Sequence, residues 1–220
     1  TSGSTGHPKG AVSCHRNIIT ALMSWELDQR SAMLVAGIEP PKNDYQLATL
    51  LAVPLFHATG SHAVYLSSYR SQRKLVSMYR WNATVAAELI EQEKIASFVA
   101  PAAMTGDLVE VAKQTNRDLS TLASVGGGGA PRAPEQVKGI AATFQKALPN
   151  TGWGMTETMG SGAAFTGRYF TERPSASGFP SPIVEFSFRD ENGEAVPSGE
   201  PGEIWVRSSA AIQGYFSGGN

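Results

Sequence analysis

Cysteine is almost missing from this chain: Cys14 is the single one among 220 residues. An internal disulfide framework is excluded, and the thiol content fits a reducing compartment, the cytoplasm. Long apolar runs are missing too. No stretch reaches the roughly 18 residues of a membrane-spanning helix, and no signal-peptide pattern is present. An excess of either charge is also lacking. The net charge is −1, which leaves no electrostatic case for nucleic acid or an anionic membrane as partner. The four histidines, His7, His15, His57 and His62, show no zinc-ligand spacing. His57 and His62 lie five apart, where one helix face needs three or four. Nor is there an initiator methionine, and the chain opens abruptly on a glycine- and hydroxyl-rich stretch with no strand before it. Both features lead to the expectation of a piece of a longer protein.

What is present suits a globular enzyme. With 41% hydrophobic and 17% charged residues, the chain can build one substantial core and part of a second. Short apolar β-rich runs alternate with helical patterns. Strands are expected at Ala11–Cys14, Leu47–Val53, Lys74–Met78, Ile95–Ala100 and Leu122–Val125. Helices are expected at His15–Leu34, with Leu22, Trp25 and Met33 on one apolar side, and at His57–Ser68, Asn82–Glu93 (capped by Asn82), Ala102–Thr115 and Pro134–Leu148. This alternation points to an α/β fold, a mostly parallel sheet flanked by helices, with ligand loops at the carboxyl ends of the strands. The pattern changes at the Pro/Ser/Gly-rich Arg173–Pro182. Beyond it, Val184–Arg189, a turn with Asn192-Gly193 and Glu203–Arg207 read as the start of an antiparallel β subdomain. The expected organisation is therefore residues 1–176 as the α/β unit and 177–220 as the opening of the β unit.

Four stretches carry chemistry. TSGSTGHPKG, residues 1–10, is not the common G-x-x-x-x-G-K-[ST] phosphate loop, because Pro8 stands where its second glycine belongs and no hydroxyl follows Lys9. Its glycines, the hydroxyls of Ser2, Ser4 and Thr5, and the Lys9 ammonium nevertheless suit phosphate; a flexible linker has the same composition. SVGGGGAPRAPE, Ser124–Glu135, joins a strand to a helix and fails G-x-G-x-x-G. Its bare backbone could let a flat ring approach, or could be only a turn. NTGWGMTET, Asn150–Thr158, lies in the segment after the Pro134–Leu148 helix, which reads as strand then loop. There Trp153 could stack on a base or sit in the core, and Glu157 could hold a hard cation or face water. PLFHATG, Pro54–Gly60, sets His57 at the end of a buried strand, either as a structural histidine or at a ligand position.

These stretches, in this order, resemble the adenylate-forming (AMP-binding) superfamily, in its acyl- and aryl-CoA ligase branch. TSGSTGHPKG resembles that family's phosphate loop, GGGGAP its adenine-side loop, and GWGMTE its adenine and magnesium motif, with Trp153 where tyrosine is usual. GEPGEIWVRSSAAIQGYF, Gly199–Phe216, resembles the segment leading to the ribose-binding aspartate, expected shortly after Asn220. The catalytic lysine of the family is expected further on.

The resemblance implies activation of a carboxylic acid by ATP to an acyl-adenylate, then transfer to CoA, with Mg2+. It implies that Thr1, Ser2, Gly3, Ser4, Thr5, Gly6 and Lys9 enclose the phosphates, and that Gly129, Ala130 and Pro131 border the adenine on which Trp153 stacks. Thr151, Gly152, Gly154 and Met155 belong to the same nucleotide stretch. Thr156 would meet the α-phosphate and Glu157 the Mg2+, so that Lys9, Thr156 and Glu157 are the catalytic candidates. His57, Gly128 and Gly152 would line the acid pocket. No carboxylate lies between Val53 and Ser68, so an amino-acid substrate's ammonium would lack a partner, and a hydrophobic acid is expected. The alternatives are an adenylation domain loading a carrier protein and a non-catalytic nucleotide- or acyl-binding piece. The chain by itself is expected to be inactive, and an oligomer is compatible with it.

Overall fold

The structure is a computed structural model that describes residues 1, 7–39 and 43–216. Its centre is a seven-stranded sheet. In chain order the strands are β2 (Ala48–Leu51), β3 (Lys74–Ser77), β4 (Ile95–Val99), β5 (Ser124–Gly126), β6 (Leu148–Trp153), β7 (Ala163–Thr166) and β8 (Phe179–Pro180). Their spatial order is β3-β2-β4-β5-β6-β7-β8. The first five run parallel, and β7 and β8 are antiparallel additions at one edge. The fold is thus the expected α/β class.

The parallel strands are joined by helices: α2 (Ser67–Arg70), α3 (Ala83–Glu93), α4 (Ala102–Gln114) and α5 (Pro134–Thr143), with α6 (Arg168–Glu172) after β7. Asn82 caps α3 as expected, its side-chain oxygen accepting from the Val85 N–H at 3.1 Å. β2 to β3 steps one way across the sheet, whereas β3 to β4, β5 and β6 steps the other. Right-handed crossovers therefore put α2 on one face and α3, α4 and α5 on the opposite one. The main core fills between sheet and helices, with Leu50, Ile90, Ile95, Phe98, Leu108, Val125 and Ile140 essentially inaccessible. The reversal falls between β2 and β4, and the crevice at the carboxyl ends of those two strands is where an open α/β sheet takes its ligand.

The described residues also form two small antiparallel pairs. β9 (Val184–Arg189) pairs with β10 (Glu203–Ser208), and β1 (Ala11–Val12) pairs with β11 (Gly214–Tyr215). Residues 179–180 thus join the main sheet as β8, while β11 returns to the beginning of the chain.

Helix α1 (His15–Val35) buries Asn17, Ala21 and Ser24, a small and polar stripe, rather than an apolar face of Leu22, Trp25 and Met33, which are only half-buried. Its outer side carries Ile19, Met23 and Leu27 exposed. Small residues let the helix lie close to the backbone of residues 209–211: the Asn17 amide donates to the Ser209 and Ala211 carbonyls at 3.0 and 2.8 Å.

Several expected boundaries are corrected. α5 ends at Thr143, not Leu148: Phe144 leaves the helical region and is buried, Leu148 enters β6, and a residue before proline disfavours helix. The strand expected after that helix is β6, Leu148–Trp153, and the loop follows it. β1 stops at Val12, because Cys14 becomes the N-cap of α1. His57 does not end the strand: β2 closes at Leu51, and His57 lies in the turn that precedes a π-helical segment, Thr59–Leu66. Gly60 permits that tight turn, since a Cβ there would fall 2.1 Å from the Pro54 carbonyl oxygen. The Asn192-Gly193 turn does not join β9 to β10 directly. It brings Ala195 back beside Arg189, and a second turn near Gly199 then leads into β10.

Candidate active site

Ser2, Gly3, Ser4, Thr5 and Gly6 lie outside the described residues. The stem of that loop is described. The Thr1 amino group donates to the Lys9 carbonyl at 2.8 Å, and the Lys9 N–H to the Thr1 carbonyl at 3.2 Å. The Lys9 ammonium stands 4.9 Å from the centroid of the Tyr215 ring, a cation–π contact. The Tyr215 hydroxyl in turn donates to Glu157 Oε1 at 2.8 Å. Two sequence-predicted candidates far apart in the chain, Lys9 and Glu157, are thereby bridged by one tyrosine. The sequence gives Tyr215 no mark beyond its place in QGYF.

The backbone supports this bridge. The Phe216 N–H donates to the Gly10 carbonyl at 2.7 Å, the Gln213 N–H to Val12 at 2.9 Å, and the Ile212 N–H to the Glu157 carbonyl at 2.8 Å. The segment after β10 is thus sewn to both the phosphate-loop stem and the Thr156–Thr158 turn, which is one turn of 3-10 helix. The Thr156 side chain is exposed there and Glu157 is half-buried. Thr158 points inward and accepts from the Met155 N–H at 3.1 Å, shaping the turn that presents its two neighbours.

The other stretches approach one another backbone to backbone. A Cβ on Gly128 would fall 2.2 Å from the Gly152 carbonyl oxygen, and one on Gly154 would fall 2.3 Å from that of Gly160. Gly160 in turn faces Ala58 beside His57, and Trp25 of α1. The glycine loop after β5, the TGWGM strand and the His57 turn therefore adjoin at the carboxyl ends of the strands. Gly129, Ala130 and Pro131 form the exposed tip of the glycine loop, with Gly129 at φ +93°. Thr151 and Gly152 are half-buried within β6, paired with Phe165 and Ala164. Met155 is exposed.

Trp153 is not a bare loop residue. It ends β6, meets Phe186 edge-on at 5.5 Å, and has Gly162 flush against its ring edge. His57 is exposed, and its Nδ1 accepts from the Thr59 N–H at 3.2 Å. With Nδ1 accepting, the neutral ring carries its proton on Nε2. Phe56 beside it is 93% exposed.

Glu157 is the candidate metal ligand. Its Oε1 is engaged by Tyr215, so Oε2 is the oxygen it can turn toward a cation. Among the described residues no group of three or more His, Cys, Asp or Glu could hold a metal by itself. A single carboxylate beside a hydroxyl fits Mg2+, which keeps most of its shell for water and phosphate oxygens; it would not fit zinc. No helix among the described residues is long and apolar enough to cross a membrane.

A mainly parallel α/β sheet with glycine-rich segments and the His57 turn gathered at the carboxyl ends of its strands defines a domain for binding nucleotides or small molecules. The comparisons narrow this. The AMP-binding enzyme family matches residues 1–216, so the chain belongs to that adenylate-forming superfamily. A 4-coumarate–CoA ligase of Vanilla planifolia is 30% identical over 227 residues, 99% of this chain and 38% of that enzyme. The 4-coumarate–CoA ligase-like protein 1 of Arabidopsis thaliana is 31% identical over 225 residues, covering 98% of this chain and 39% of its own length. The N-terminal domain of FACL13 from Mycobacterium tuberculosis superposes with a TM-score of 0.81 at 26% identity, over 98% of this chain and 50% of that one. The chain spans less than two fifths of the length of these curated relatives.

Proposed function

We propose that the chain is the nucleotide- and acid-binding part of an acid–CoA ligase, which activates a hydrophobic carboxylic acid with ATP and passes the acyl group to CoA. Residues 1–176 would form its α/β unit and 177–220 the start of a β unit. The observation that carries the reading is the Lys9–Tyr215–Glu157 bridge: a cation and a carboxylate, each marked in sequence by its own motif, meet around one ring beside the glycine loops. The family match and the CoA-ligase relatives support the same reading.

In this reading the loop closed by Thr1 and Lys9 binds the β- and γ-phosphates, with Lys9 offsetting their charge. Thr156 donates to the α-phosphate, where negative charge builds during adenylation. Glu157 would hold Mg2+, which supplies charge neutralisation across the phosphates. Trp153 and the tip Gly129–Pro131 border the adenine. His57 donates through its Nε2–H to the carboxylate of the acid, and Gly128 and Gly152 leave room for the chain behind it. The absence of carboxylates along residues 53–68 favours a hydrophobic acid over an amino acid. The work of the site is positioning and charge stabilisation, with no nucleophile supplied by the described side chains.

The test is acid-dependent pyrophosphate release by the full-length protein, using fatty, aryl and amino acids, with CoA supplied or withheld. Pyrophosphate with the hydrophobic acids and thioester only with CoA is expected. Release with amino acids alone would overturn the substrate class, and acyl transfer to a carrier protein but not to CoA would overturn the acceptor. Residues 1–220 alone are expected to release no pyrophosphate.

A further inference from the structure

We propose that Arg132 is a positioning residue that staples the glycine loop at its stem and so sets affinity for the nucleotide without touching it. The identity of the ligand rests on the CoA-ligase reading above; the mechanical role rests on the loop itself.

Arg132 is 5% exposed, and none of its partners is a carboxylate. Its Nη2 donates to the Ala100 carbonyl just past β4 at 2.9 Å and to the Gly127 carbonyl just past β5 at 3.4 Å. Nη1 donates to the Thr105 hydroxyl in the first turn of α4. Nε is buried with no partner. A buried cation paired only with neutral oxygens is costly, and an apolar side chain of similar volume commonly replaces a buried charge without loss of stability. The guanidinium is therefore a poor device for stability. What it offers is a rigid fork that reaches two carbonyls together.

Those two carbonyls locate the loop. Gly127 has φ +132°, and a Cβ there would fall 2.7 Å from the Ala100 oxygen, while Gly128 is flush against Gly152 of β6. The chain is thus threaded between the ends of β4 and β6. It then leaves the surface: nothing lies within 4 Å of where a Cβ on Gly129 would be, and Gly129, Ala130 and Pro131 are exposed. Arg132 brings the chain back inside and grips Gly127, five residues earlier. The exposed tip is closed at its base by this one side chain. Four consecutive glycines have the least conformational restraint any sequence offers, so without the staple the tip would lose the fixed surface that a flat ring needs.

The test uses R132M and R132K in the full-length protein, reading the ATP dissociation constant, the thermal midpoint, and amide exchange at Gly127–Ala130. R132M is expected to bind ATP about tenfold more weakly or worse, the scale of one lost charge-assisted hydrogen bond, with an unchanged or higher midpoint and faster exchange at the tip. R132K, which keeps the charge but not the fork, is expected to fall between. A lower midpoint with ATP affinity unchanged would make Arg132 a packing residue and overturn the proposal. If R132M does not fold, R132K decides: binding within about twofold of the wild type overturns it. Wild-type protein that binds no ATP would overturn the ligase reading together with the nucleotide role. Binding that both variants leave intact would overturn only the role of Arg132.

Discussion

The Tyr215 hydroxyl donates a 2.8 Å hydrogen bond to Glu157 Oε1 across 58 residues of chain, while its ring lies under the Lys9 ammonium. The carboxylate beside it raises the hydroxyl above its ordinary pKa, so Tyr215 stays a donor throughout the neutral range. The bond occupies one oxygen of Glu157 and leaves the other for a cation. Y215F keeps the ring and removes only the donor. In the full-length protein it is expected to raise the Mg2+ concentration for half-maximal activity about three- to tenfold, with little change in thermal midpoint. A magnesium titration checks this; an unchanged half-point would reduce the bond to a surface contact.

Asn17 holds that bridge in place from behind. It is 4% exposed, accepts from the Cys14 N–H, and donates to Ser209 and Ala211, the residues just before Ile212 and its bond to Glu157. N17A leaves two carbonyls and one N–H without partners in a partly buried place. It is expected to lower stability by about 1–3 kcal/mol, read as the midpoint of a urea titration. N17D, which keeps the acceptor and loses the donors, is expected to fare no better. A neutral N17A would show that water replaces the amide and that the bridge does not depend on α1.

Much of this was legible in the sequence. The alternation of short apolar runs with helical periods gave the parallel sheet, and Asn82 marked its helix start. The motif order gave the candidate residues, because glycines and hydroxyls are required where backbone must approach phosphate. Other features were hidden for physical reasons. Tyr215 and Arg132 act through partners 58 and 32 residues away, and no local pattern reports such a distance. The α5 end was overrun because Phe144 and Ala147 continue an apolar period that the chain uses for a buried turn. The strand before the GMTE loop was legible, but its span, Leu148–Trp153, is set by pairing with β5 and β7, which no local pattern reports.

Asp28 gives a pH dependence. It lies half-buried on α1, accepting from the Ser181 hydroxyl just past β8 at 2.5 Å. Burial pushes its carboxyl above the usual range, and the Ser181 bond opposes that shift in part. The folded protein therefore holds the proton more tightly than the unfolded chain. The stability linked to Asp28 is fully present below the unfolded value, about 3.9, and is lost as pH rises through the raised folded value. D28N removes the titration and keeps an acceptor for Ser181. Its thermal midpoint is expected to gain on the wild type as pH is raised from about 3 toward neutrality, then to hold a constant lead. Wild type gaining on D28N over that range would mean that the ionised carboxylate is the form the fold prefers.

Trp153 separates packing from recognition. It closes β6, with Phe186 against it edge-on and Gly162 at its ring edge, so part of its surface already serves the contact between the main sheet and β9. In the proposed site the remaining face borders the adenine. W153A would remove both surfaces, and a fall in thermal midpoint alone would say nothing about the nucleotide. F186L serves as the control, because it removes the edge contact and leaves the indole. W153A is expected to weaken ATP binding by about 1–3 kcal/mol, the range for base–aromatic stacking, and to lower the midpoint. W153Y is expected to bind ATP nearly as well as the wild type, since a phenol ring also presents a face. F186L is expected to lower the midpoint and leave ATP affinity alone. Calorimetric titration of the four full-length proteins with ATP checks the set. Should W153A and F186L both lose stability while binding ATP as the wild type does, Trp153 is a structural residue, and the adenine is bordered by the glycine loop without it.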